Sequence, residues 1–102
     1  MTADRGPTLP SEDEVARMSV GQRLRHLRKL RGWSQLQMMV RMEQVAEGHG
    51  GTAATREGLR SELSKWEHDH VIPSQHNRRL LAETLGVTVA DLGLDQDPYF
   101  KW

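Results

Sequence analysis

The side chains with chemistry to offer are unevenly spread along this chain. Fourteen lysines and arginines balance fourteen aspartates and glutamates, giving a formal net charge of zero. From Val15 to Leu80, however, twelve cations stand against six acids, while residues 1–14 and 81–102 are each acidic. Six of the cations (Arg17, Arg23, Arg25, Arg28, Lys29 and Arg31) fall within fifteen residues. Guanidinium and ammonium groups massed in this way either bind phosphate or line a solvated helix face. His68 and His70 form the one pattern that invites a metal, but two histidines without a third ligand do not make a zinc site. There is no cysteine, hence no thiolate nucleophile, disulfide framework or cysteine-based zinc finger. No Ser-His-Asp set, phosphate loop or HExxH motif occurs, so an enzyme is not expected and no cofactor is implied.

The elements that would position these groups are helical. Residues 1–18 are expected to form a flexible or partly helical arm, with Gly6, Pro7 and Pro10 breaking any pattern; Ser11 with Glu14 is one capping-box signature and Ser19 with Gln22 a second. A first full helix is predicted over residues 20–31. Val20, Leu24, Leu27 and Leu30 recur at helical spacing, Arg23, Arg25 and Lys29 are left outward, and Gly32 is the stop. Ser34 caps a second helix with a stripe of Met38, Met39, Met42, Val45 and Ala46. Gly48, Gly50 and Gly51 end it. Thr52 or Thr55 starts a third helix carrying Leu59, Leu63 and Trp66, and Pro73 closes the connection that follows. Ser74 caps a fourth, stopped by Gly86, and Thr88 caps a short fifth with Val89 and Leu92. Trp33 and Trp66 are assigned to the core. No segment approaches the apolar length of a membrane span or signal peptide, so a cytoplasmic protein with no membrane partner is expected.

Three segments, GQRLRHLRKLRGWSQ (21–35), LSKWE (63–67) and LLAETLGVTVADL (80–92), resemble in order the Xre family of helix-turn-helix regulators, to which the lambda repressor and Cro belong. The resemblance spans residues 19–94 and implies an all-α, five-helix lambda-repressor-like DNA-binding domain. It also implies a transcriptional regulator, a repressor by type, that reads double-stranded DNA with a helix in the major groove. On that reading residues 55–67 are the recognition helix, and Arg60, Ser61 and Lys65 face the groove. Arg60 is the best placed for base readout, since arginine forks two hydrogen bonds to guanine; Arg56, one turn earlier, reaches a base or a phosphate. Ser34 and Gln35 match the family's Ser-Gln pair that opens its second helix and touches DNA, and Ser74, Gln75 and Asn77 match a second phosphate clamp. Arg28 and Glu67 stand where the family often forms a partly buried ion pair. The implied partner is a palindromic or repeated operator bound by a homodimer, with no small-molecule substrate.

The chain departs from the family in two places. The stretch from Ser34-Gln35 to Trp66-Glu67 is much longer, so the connection between the second and third helices is extended by a longer second helix, a glycine-rich loop around Gly48–Gly51 or a longer recognition helix, which leaves the start of that helix open. The glycine that usually follows Trp-Glu is replaced by His68, Asp69 and His70, of which aspartate best tolerates a left-handed turn. A competing reading keeps the fold but gives it a protein partner, as in an antitoxin or the N-terminal domain of a larger regulator, and the acidic ends favour it. The tail DQDPYFKW (95–102) gathers Tyr99, Phe100 and Trp102 as a packed cap or, preferably, a self-association surface.

Overall fold

The computed structural model describes residues 12–50 and 56–101, and within them the chain is helical with no strand. In order come α1 (Glu12–Arg17), α2 (Val20–Leu30), α3 (Gln35–Gly48), α4 (Arg56–Glu67), α5 (Gln75–Leu85) and a single 3-10 turn at Ala90–Leu92. Residues 51–55 lie outside the described residues, and with them Thr52 and Thr55 as helix starts. The fifth helix expected after Thr88 is therefore only a turn. Thr88 and Asp91 hold it by reciprocal bonds: the Thr88 N–H donates to Asp91 Oδ2 at 3.0 Å, and the Asp91 N–H to Thr88 Oγ1 at 3.1 Å.

Local chemistry sets the helix ends. Ser19 and Ser34 each accept the backbone N–H three residues on, and Gln22 and Gln37 return the bond to the cap's own N–H, completing two capping boxes. Ser74 caps α5 through the Asn77 N–H at 3.3 Å. At the C-terminal ends the backbone turns left-handed at Gly32, Asp69, Gly86 and Gly93. Asp69, at φ 59°, is the one position where this turn carries a side chain. There the His70 N–H reaches Lys65 C=O at 2.9 Å and the Asp69 N–H reaches Trp66 C=O at 3.2 Å, a Schellman closure of α4.

Helix α3 packs on α4 and α5, and α2 crosses α4. Leu24, Met38, Met39, Met42, Leu63, Trp66, Leu81, Leu85, Val89 and Leu92 are fully buried between them. The methionines of α3 fill the centre, where their unbranched side chains adapt to the gaps between crossing helices. Trp33 departs from its assignment: it is only partly buried, packed against the edge of the core, with the Arg41 guanidinium 4.4 Å above its ring. It directly follows the Gly32 turn, which leaves one ring face to be covered by a cation. Arg23 is not outward either. It donates to the carbonyls of Met18, Ala16 and Asp91, joining the end of α1 to the 3-10 turn.

Asp69 also reaches across the fold. Its Oδ1 accepts the Gly21 N–H at 2.8 Å and its Oδ2 the Ser19 hydroxyl at 2.6 Å, so the residue that ends α4 caps the start of α2. The Ser19 hydroxyl first, then the Gly21 amide, hold the Asp69 carboxyl below its ordinary pKa, with Arg25 and His68 adding to them against a small cost of burial. A carboxylate with a depressed folded pKa stabilises the fold fully above its unfolded value, and that stabilisation is lost as pH falls through the folded value. Thermal unfolding of the wild type should therefore approach that of Asp69→Asn below about pH 4 and exceed it at neutral pH. Asp69→Gly should cost about 1 kcal/mol for the lost cap. Asp69→Ala should cost roughly 1 kcal/mol more, because alanine resists the left-handed turn. Urea titration of the three variants checks both expectations.

Candidate nucleic-acid interface

The face that α4 shows to solvent follows from its buried face. Leu59, Leu63, Trp66 and Glu67 recur at helical spacing and are all buried. Arg60, Ser61 and Lys65 consequently point away from the core and are exposed, with Ser64 half-buried between them. Together with Gln35, at the start of α3, these four residues line one open groove. Arg60 has no hydrogen-bond or ion-pair partner among the described residues. Lys65 meets Glu62 only loosely, at 3.8 Å and with both side chains about half exposed, an arrangement worth little in water. Two exposed cations, two hydroxyls and an amide thus share a surface with the donors to contact phosphates and base edges.

Beneath the groove lies Glu67, with no exposed surface. Arg28 Nε donates to its Oε2 at 2.7 Å and Arg28 Nη2 to its Oε1 at 2.9 Å, a two-pronged pair joining α2 to the end of α4. The remaining guanidinium nitrogen, Nη1, donates to Trp33 C=O at 3.0 Å. Gln35 Nε2 donates to Glu67 Oε1 at 3.1 Å. Three helices therefore meet at one carboxylate, and the Gln35 amide is orientated by it. Since only the NH2 end of an amide can face a carboxylate, the carbonyl oxygen Oε1 and one N–H of Gln35 remain for an outside ligand.

The other residues singled out from the sequence fall as follows. Ser34 is exposed as the cap of α3, its hydroxyl already accepting the Gln37 N–H at 3.1 Å. Arg56 opens α4, but its side chain is outside the described residues. Ser74, Gln75 and Asn77 gather at the N-terminal end of α5 and do not line the α4 groove. Gln75 is already engaged, its Oε1 accepting the Asp97 N–H at 3.1 Å. The His68 and His70 rings lie 6.0 Å apart, and the described residues hold no cluster of three or more metal-binding side chains. Among the described residues, no helix is long and apolar enough to cross a membrane.

Sequence reasoning missed Ser64 and Gly21 here, and of Asp69 it foresaw the left-handed turn but not the bonds to α2. Ser64 completes the groove, and its place one turn after Arg60 was the available signal. Asp69 and Gly21 act between α2 and α4 across 48 positions of chain, which no local pattern reveals. Compared with protein-family models, curated proteins and solved structures, the chain matches none.

Proposed function

We propose that the protein is a double-stranded-DNA-binding regulator of the lambda-repressor-like helix-turn-helix type, with α4 as its recognition helix and a homodimer as its form on a palindromic operator. The observation that carries this reading is the groove lined by Gln35, Arg60, Ser61, Ser64 and Lys65. Its cation Arg60 has no partner within the described residues, while the opposite face of the same helix is buried. A helix presented in this way can lie in the major groove with its outward side chains at base edges. The ends of α3 and α5 then contribute serine-capped N-termini toward the phosphates, where anions are favoured. The reading also accounts for the central excess of cations in a chain of zero net charge, because it is local potential that a duplex meets.

Fluorescence anisotropy with a random-sequence duplex tests it. Binding that weakens with salt at a log–log slope near −0.9 per phosphate contact supports the reading, and a flat dependence or no binding points to a protein partner. Selection from a random duplex pool then yields the operator. On the selected site, Arg60→Ala is expected to lose about 1–3 kcal/mol of discrimination at one base pair. Its loss on random duplex should be smaller. Equal losses on both would make Arg60 a phosphate contact only.

A further inference from the structure

We propose that residues 95–101 form an acidic strap that closes the N-terminal end of α5 to phosphate and so weakens binding to non-specific DNA. This rests on the DNA-binding reading above. Three contacts hold the segment in place. The Asp97 N–H donates to Gln75 Oε1 at 3.1 Å. Arg78 donates through Nη1 to Asp95 C=O at 2.8 Å, while its Nε holds Pro73 C=O at 2.9 Å. The Phe100 ring lies 6.3 Å from that of His76, tilted by 52°. The segment has its own turn as well: the Tyr99 N–H donates to Asp97 Oδ1 at 2.9 Å and the Phe100 N–H to Asp97 C=O at 3.1 Å.

The consequence is electrostatic. The first turn of α5 carries no acidic residue, and its positive helix end would draw a phosphate. The strap occupies the amide oxygen of Gln75, directs Arg78 onto a backbone carbonyl, and brings Asp95 and Asp97 to the same end of the helix. Its one cation, Lys101, follows the turn. A duplex that uses this end of α5 must displace the strap or bind beside its two carboxylates. Cognate DNA, with base contacts to α4, can meet that cost, whereas random DNA held by phosphate contacts alone feels it in full.

Duplex titration of the whole chain, of Asp95→Asn/Asp97→Asn and of a chain ending at Leu94 tests the strap. The double substitution keeps the turn, since asparagine Oδ1 still accepts the Tyr99 N–H, and removes only charge. It should bind random duplex about three- to tenfold more tightly at low salt, with the gain shrinking as salt screens it. The shortened chain, once circular dichroism shows wild-type helicity, should gain at least as much and show a steeper salt slope, by about 0.9 for each phosphate contact uncovered. Unchanged or weaker binding by the double substitution overturns the strap whether or not the shortened chain folds. If none of the three binds duplex even at low salt, the DNA-binding reading fails, and the strap with it.

Discussion

Glu67→Ala is expected to lower the free energy of unfolding by about 3–5 kcal/mol, a large part of the stability of a domain this size. Glu67 is fully buried and accepts from Arg28 twice and from Gln35 once. Its removal leaves the Arg28 guanidinium, whose side chain is only 11% exposed, without a counter-charge where solvent can screen it only at one edge. The loss measures the stranded cation more than the worth of the pair, because two desolvated charges in good geometry roughly offset their own burial. The double variant Arg28→Met/Glu67→Leu should therefore recover most of it. Urea unfolding checks both, with a lower midpoint and unchanged slope for the single variant. If the single variant is as stable as wild type, the three-helix junction has no energetic role. Under the DNA-binding reading Glu67→Ala also frees the Gln35 amide, so the variant should bind less selectively at temperatures where it remains folded.

The contrast between this junction and the helix ends explains how much the sequence disclosed. Ser19, Ser34 and Ser74 cap the helices they were expected to cap, because a cap bonds to an amide only three residues away. The methionine stripe of α3 and the outward face of α4 follow from the 3.6-residue period, so the groove residues of α4 were readable from Leu59, Leu63 and Trp66 alone. Long polar side chains were not, because they have several possible partners and only tertiary placement chooses among them; the Arg28–Glu67 pair was expected from the family resemblance alone and from no local pattern. Arg23 resembled a solvent-facing cation and instead binds three carbonyls. Gln35, expected to touch DNA, also gives one N–H to Glu67. Gln75 was expected at a phosphate and faces the tail. Trp33 shows the same limit for an aromatic residue, since its size pointed to the core while the Gly32 turn left it at the rim.

Gly21 decides whether α2 can lie on α4 at all. A Cβ at this position would stand 2.5 Å from the Glu67 carbonyl oxygen, 2.7 Å from that of Trp66 and 2.8 Å from the Glu67 carbonyl carbon. All three are backbone atoms at the end of a helix, so no side chain can swing aside to make room. Helix propensity alone would favour alanine here by about 1 kcal/mol. Overpacking against rigid neighbours costs typically 1–3 kcal/mol and more where nothing can relax. The steric cost should win, and Gly21→Ala is expected to destabilise the fold by about 2–3 kcal/mol net, with larger residues worse. Because the Gly21 N–H also bonds Asp69, pushing α2 away breaks the cap that joins the two helices. The two losses share one displacement, so Gly21→Ala/Asp69→Asn should cost less than the two single variants added together. A double-mutant cycle by urea unfolding measures this, and strict additivity would mean that Gly21 serves only its own helix.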